Sequence, residues 1–550
     1  LMLRNTQKSV ASQPHLAAGS LSLVFAIADH PWVDSANGAA VRISMTVGAL
    51  GAGEGELLSV IRETPLSDGS AEVGLSARRG VVHADLRVGA NVAAVKALAA
   101  NADVSSPGLK LHGAGFIVTR EEAASLGLGS VPGLDAHIRE YRNGRDLTDR
   151  PRDVMVIDLF GLTADAVRQR FPAVYQWVLA RVKPDRDAKA HSKDGAAYAA
   201  LWWLHGKPRP NIRQALAGLP RYIATVETAK HRTFQFLDAS IAADNMLIAI
   251  ALPDAATLGV LSSRVHVQWA LHAGGRLGVG NDPRYNKSRC FDPFPFPSLT
   301  DRPDLAAQIA AAAEELDAHR KRQQAAHAKL TLTDMYNVLD ALRRGRALTV
   351  KEKLTHTDGL VSVLAELHDR IDALVLQAYG WADLAPALVG RPGGTLPWPE
   401  KPVAQAEAEE ELLLRLVALN AERAAEEARG EVRWLRPEFQ DPARRMAPAL
   451  PALPASTQDE MALGEVSAGA AQKVGGKPPA PSARRPWPAD LPEQVRAIAD
   501  MLTAAPGALD ESALAEGFTG RGPWKKRLPG ILLTLEALGR ARREGERWRA

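Results

Sequence analysis

The sequence predicts an α/β fold followed by a largely α-helical part. The expected order is the closing edge of an α/β sheet over residues 1–135, a mixed α+β domain over 136–300 and a helical spacer over 301–445. A flexible linker over 446–489 and a winged-helix-like domain over 490–550 complete it. Three observations carry this reading. A continuous apolar run is followed by an alternating one near the start, aromatic residues interleave with Arg and Lys through the middle, and apolar residues recur every three or four positions from about 303. A chain of 550 residues is also too long for one core.

The first part opens on "LSLVFAI", which reads as a strand buried on both faces, then a "DSANG" turn and an alternating edge strand, "AAVRISMTV". "ELLSVIRE" and "VVHADLRV" read as further strands and "VAAVKALAAN" as a helix. The glycine run "GALGAGEG", 48–55, reads as a flexible hairpin turn rather than a cofactor loop, because a strand follows it where a helix belongs. The start, "LMLRNTQKSVASQPHLAAGS", lacks a secretory signal pattern and reads as truncated or mis-started. From 446 to 489 the chain is rich in Pro, Ala, Gly and Ser and poor in large apolar residues, so it cannot bury a core. Short helical segments and a basic strand pair, "RARREGERWRA", close the chain.

Bulk composition narrows function. Hydrophobic residues make up 46% and charged residues 24%, ordinary for a globular protein. One cysteine, Cys290, excludes an internal disulfide framework and argues against a zinc cluster, which fits a reducing, cytoplasmic setting. No apolar run reaches the ~18 residues that span a bilayer. The net charge of +4 leans only mildly toward polyanions, so its distribution matters more than its total.

That distribution is concentrated. Lys and Arg neutralise phosphates, Arg also reads guanine edges, and aromatic rings stack on exposed bases. Arg139, Tyr141, Arg142, Arg145, Arg221, Lys230, His231 and Arg232 are expected to hold phosphates or read base edges, with Lys207, Arg209, Arg213, Arg264 and His266 as further candidates. Arg284, Tyr285, Lys287 and Arg289 are expected to form a second DNA-facing loop. Trp202, Trp203, Phe234, Phe236 and Trp269 read as core. "GPWKKRLPG" offers Lys525, Lys526 and Arg527 to phosphates on a recognition helix, or serves protein docking.

"DPRY", 282–285, is one residue from the D-P-P-Y with which amino-methylating enzymes hold an exocyclic amine. Arg284 places a bulky cation where the base would enter, so the segment reads as a loop for DNA contact or packing. The sequence holds neither a metal-ligand set nor a nucleophile–base–acid constellation.

Several segments together resemble one family, the large adenine-specific DNA methyltransferases of the type IIL and type IIG restriction–modification kind. "LSLVFAIADHPWVDSANGAAVRISMTV" is similar to the stretch that follows that family's catalytic motif. "YRNGRDLTDRPRDVMVIDLFG", "LPRYIATVETAKHRTFQFLD", "LSSRVHVQWAL" and "RYNKSRCFDPFPFP" resemble its target recognition domain, and "VLQAYGWADL" and "ERAAEEARGEVRWLRPEFQ" the helical region after it. The resemblance covers roughly residues 20–440. It implies the end of a class I methyltransferase-like sheet before the recognition domain, and methyl transfer from S-adenosylmethionine to adenine N6 at a specific site in double-stranded DNA. The family's glycine-rich cofactor loop and N-P-P-F/Y motif are not found in this chain.

The expectation is therefore a chain that carries DNA recognition for a bacterial modification or phage-defence system. An N-terminal methyltransferase portion or other defence subunits would be its partners, and a membrane would not. The alternative is a non-enzymatic DNA-binding specificity or scaffold protein.

Overall fold

The computed structural model describes residues 16, 19–32, 41–65, 71–277, 282–441, 485–487, 491–504, 509–516, 518–519, 528, 531–532, 535, 541–544 and 547–549. Two compact units divide the chain at Ser456/Thr457. Both mix helices with small sheets.

The first unit begins with strands β1 (Leu21–Trp32), β2 (Val41–Leu50), β3 (Gly55–Pro65) and β4 (Ala71–Gly80), in the order β2-β1-β3-β4. β2 lies at the edge, as its alternation predicts. The glycine run 48–55 is not a hairpin turn. β2 and β3 flank β1 on opposite sides, so the run crosses over the start of β1, where the Gly51 amide donates to Ser20 O at 3.1 Å. Gly55 is required there, since a Cβ would sit 2.0 Å from Leu23 O. Burial of β1 on both faces holds only at its centre, where the consecutive residues Ala26 and Ile27 are both buried; Val24 of the same strand is exposed, as are Val47, Leu50 and Ile61 of the flanking strands.

"VAAVKALAAN" forms two short 3₁₀ turns, Val92–Ala94 and Ala99–Asn101, instead of a helix. Tertiary partners take the amides a helix would use. Lys96 N donates to Asn420 Oδ1 (2.9 Å), and Ala99 N and Ala100 N donate to Glu427 (2.7 and 2.9 Å). "VVHADLRV" is likewise no strand: Val82 bridges Leu23 and Val88 around a turn with Leu86 at positive φ.

The central region holds two small sheets. One comprises β5 (Ser105–Pro107), β9 (Arg221–Val226), β10 (Gln235–Asp238) and β12 (Leu247–Ile250), in the order β10-β9-β12-β5. The other comprises β6 (Ile117–Val118), β7 (Ile138–Arg142), β8 (Met155–Ile157) and β11 (Ala242–Ala243), in the order β11-β7-β8-β6. β5 lies upstream of 136 yet pairs with β12, so strand pairing moves the start of this region upstream of the expected boundary. β13 (Gly275–Leu277) and β14 (Asp282–Arg284) make an antiparallel pair.

Short helices link these strands: α1 (Arg120–Ser125), α2 (Gly144–Thr148), α3 (Ala164–Arg170), α4 (Pro172–Arg181), α5 (Lys183–Asp187), α6 (Lys193–Ala200) and α7 (Pro210–Leu216). Then come α8 (Ala255–Ser262), α9 (Arg264–Ala273) and α10 (Lys287–Cys290). Trp202, Phe234, Phe236 and Trp269 are buried, as expected.

The helical spacer follows as α11 (Pro303–Ala326), α12 (Leu332–Arg343), α13 (Val350–Asp358), α14 (Val361–Tyr379), α15 (Ala385–Leu388), α16 (Val403–Ala428) and α17 (Pro437–Gln440). Local signals set several ends. Pro303 opens α11, the Thr331 side chain caps α12, Thr349 and Glu352 form a reciprocal cap on α13, and Gly380 ends α14 in the left-handed region. The spacer packs into the central region rather than standing apart: α11 lies against α8, and Ile309 fills the space opposite Gly259.

In the second unit, α18 (Leu491–Ala504) and α19 (Glu511–Glu516) accompany a sheet in the order β16 (Leu509–Asp510), β19 (Arg547–Arg549), β18 (Arg542–Glu544). β15 (Arg485–Pro486) pairs in parallel with β17 (Phe518–Thr519). Ile498, Leu502, Leu514 and Trp548 are buried in its core. Lys525, Lys526 and Arg527, and nearly all of the linker, lie outside the described residues. Among the described residues, no helix is long and apolar enough to cross a membrane.

Candidate nucleic-acid interface

A cavity of about 350 Å³ opens where the two central sheets meet α12. Four pieces of chain wall it: the start of α2, the end of β9 with the loop after it, the turn at Asp244–Met246, and the first turns of α12.

The α2 wall follows from "RNGRD". The Asn143 carboxamide accepts from Arg145 N (3.0 Å) and Asp146 N (3.1 Å), and Asp146 accepts in return from Asn143 N (2.7 Å). Arg152 grips the buried Asp146 through Nε and Nη2 (2.9 and 2.8 Å). This short helix is thus pinned at both ends of its first turn, and Arg145 is presented to solvent at the rim. At the turn wall, the Tyr141 hydroxyl donates to Asp244 Oδ2 at 2.5 Å, and Asp244 Oδ1 accepts from Met246 N (2.9 Å). Burial together with Asp244 raises the Tyr141 phenol well above its ordinary range, so it stays a neutral donor.

On the opposite wall the exposed Lys230 donates to Asn337 Oδ1 at 2.6 Å. That oxygen also faces His231 Nε2 (3.1 Å), which must therefore carry the ring proton, while Nδ1 accepts from the Thr395 hydroxyl (2.9 Å). Burial holds His231 down at about 4, so it is a neutral structural pin and not a phosphate contact.

Burial likewise corrects the expectation for five further residues. Arg232 is buried and donates to Thr225 Oγ1 (3.0 Å), Pro283 O (3.0 Å) and Val226 O, and burial pushes it down to about 10. Arg264 is buried at the start of α9 between Asp372 and Glu409, where it ties this region to the spacer. His266 and Tyr285 are buried against each other. Tyr141 is buried as described above.

Other candidate arginines are engaged internally. Arg213 holds the buried Asp158 through two bonds of 2.7 and 2.9 Å, and Arg139 lies 3.9 Å from the same carboxylate while donating to Ser240 O and Ala239 O. Burial pushes Asp158 up, but Arg213, His205 and Arg139 outweigh that and hold it at about 2. Arg142 pairs with Glu140, Arg221 with Glu314 of α11, and Lys287 with Asp292, while Arg209 donates to Gly108 O. Arg145, Lys207, Lys230 and Arg289 stay exposed.

The "DPRY" segment sits beside the cavity. Arg284 bridges to Thr228, and Tyr285 N donates to Glu227 O at 2.6 Å, so β14 extends the end of β9. The Arg284 guanidinium, 39% exposed, holds Glu227 Oε1 through Nε (3.0 Å) and Nη2 (2.6 Å). A cation and an acceptor therefore share this edge. Sequence reasoning missed Asn143, Asp244 and Asn337. The N-x-x-D capping pattern at 143–146 was a usable signal, whereas Asp244 and Asn337 carried none.

The cavity's surface thus offers cations at the rim and amide, carboxylate and hydroxyl groups on the walls, a set that can bind polar edges and anions. Among the described residues no group of His, Cys, Asp or Glu is placed to hold a metal ion. Residues 103–298, which contain most of these walls, match the family model described as MmeI, target recognition domain. Among solved structures, the chain is similar to the type IIL restriction–modification enzyme MmeI in complex with DNA, with a TM-score of 0.52 and 18% identity. The likeness covers 76% of this chain and 48% of that one, so this chain spans about half that enzyme's length; at this identity the likeness is one of fold. No curated protein matches the sequence.

Proposed function

We propose that this chain recognises a specific site in double-stranded DNA, with residues 103–298 acting as the target recognition domain of a restriction–modification system. The single observation that carries this reading is the match of that stretch to the MmeI target recognition domain. The exposed Arg145 and Lys230, on either side of a cavity walled by polar groups, supply the matching chemistry: cations for phosphates and amide and carboxylate groups for base edges.

Adenine-N6 methylation from S-adenosylmethionine is the activity we propose for the complete enzyme. The residues described in this chain do not fit that cofactor. The glycine run 48–55 is occupied by the start of its own strand β1, and the one D-P-x-Y aromatic, Tyr285, is buried. In our reading the chain contributes recognition, and an additional methyltransferase portion completes the active site. The helices and terminal strand pair of the second unit are read as a winged-helix-like module.

The test is selection from a pool of randomised duplexes. The chain is expected to enrich one motif. Arg145→Ala and Lys230→Ala are each expected to weaken binding roughly tenfold at 0.1 M salt and to flatten its salt dependence. No enriched motif, with unchanged affinity in both variants, overturns the reading. Ultraviolet cross-linking of labelled S-adenosylmethionine to the chain alone is expected to give no label.

A further inference from the structure

Three unfavourable features meet at one place outside the cavity. The segment after β5 runs antiparallel to residues 206–207, and Lys110 and Lys207 are direct cross-strand partners (N–O 3.2 and 3.0 Å). Like charges set opposite each other destabilise a strand pair. Neither ammonium meets a carboxylate among the described residues. Two positions on, His112 is exposed and sits at φ +51°, a left-handed conformation that is strained for a residue with a Cβ. Its ring stacks on Tyr198 at 4.7 Å and 24°. Gly206 leaves room for it, since a Cβ there would lie 2.3 Å from the imidazole.

Beneath them the buried Arg186 donates to the carbonyls of Leu111 (2.9 Å), Tyr198 (3.1 Å), Leu201 (3.1 Å) and His112 (3.4 Å), with no carboxylate among its partners. Its charge adds to the outward positive potential. The lowered pKa of His112 reports that field: burial acts first, then Lys110, Arg186 and Lys207, against Asp194 alone.

We propose that this edge is a second DNA seat, in which Lys110 and Lys207 clamp backbone phosphate and the exposed His112 ring, backed by the half-buried Tyr198, packs against the adjoining sugar. An anion between the two lysines turns their repulsion into attraction, which gives the unfavourable pairing a purpose. The inference rests on the DNA-recognition reading and adds a backbone contact to it.

The decisive variant is Lys207→Glu in the full chain. It places an acid opposite Lys110, so the thermal midpoint is expected to stay level or rise, while affinity for the selected duplex falls at least tenfold. Lys110→Ala/Lys207→Ala is expected to make the slope of log K against log salt shallower by about two phosphates' worth, with the preferred motif unchanged. Wild-type affinity and slope in both variants overturn the seat and leave the recognition reading intact. A wild-type chain that binds no duplex overturns both.

Discussion

Tyr285 Oη and His266 Nε2 lie 2.9 Å apart inside the core, with the phenol edge-on to Phe234 and the imidazole edge-on to Phe294. The aromatic of "DPRY" is therefore a packing residue. Tyr285→Phe strands a buried imidazole nitrogen and is expected to cost about 1–3 kcal/mol of stability. DNA affinity, measured well below the unfolding temperature, is expected to stay unchanged. A base-stacking tyrosine would give the reverse: little change in a urea melt and a large loss of binding to the duplex.

Asp158 is the shared anchor of Arg213 and Arg139. Asp158→Ala removes the buried carboxylate that Arg213 and Arg139 share; losses of about 3–5 kcal/mol are typical of broken buried pairs, and the partial exposure of both guanidinium groups places this one at the low end. Equilibrium unfolding in urea reads this directly. A change below about 1 kcal/mol would mean that the two arginines are not held by this carboxylate.

Acid should destabilise the first unit well above the range of carboxylate titration. Burial holds His231 at about 4 and His266 at about 3, against an ordinary 6.5. Both stay neutral in the fold and gain protons on unfolding, so their contribution is full above pH 6.5 and is lost as pH falls toward those values. Each contributes up to about 1.4 kcal/mol per pH unit inside its window. Asp372, raised to about 6 by burial, acts in the opposite sense between 3.8 and 6 and offsets about one proton. His205, His319 and His368 are lowered as well and add to the loss. Urea midpoints at pH 7.5 and 5.0 should differ clearly, and equal midpoints would refute the assignment.

Cys290 is buried, and burial pushes its thiol up to about 12. The thiolate is the reactive form, so a thiol reagent at pH 8 is expected to label the folded chain only at the rate of unfolding. Rapid labelling of native protein would show that α10 opens locally.

Several features were legible from spacing alone. The α12 and α14 apolar stripes and the edge position of β2 depend on neighbours a few residues away, where periodicity acts. The helix expected over 92–101 failed because Asn420 and Glu427, more than 300 residues later, take its amides. The DNA-facing list was too broad for a related reason. Arg, Tyr and His suit both a phosphate and a buried clamp, and composition does not separate the two uses.

By itself the sequence determined the helix-rich stretch from about 303 and the excess of cations between 136 and 300, because local periodicity and charge are written residue by residue. Only the tertiary structure decided which cations face outward. Arg232, Arg264 and His266 are buried by strands and helices that arrive from distant positions, whereas Arg145 and Lys230 are left at a rim those same elements create. Burial arises from the packing of whole elements, and a desolvated charge is held only where a partner from elsewhere in the chain meets it.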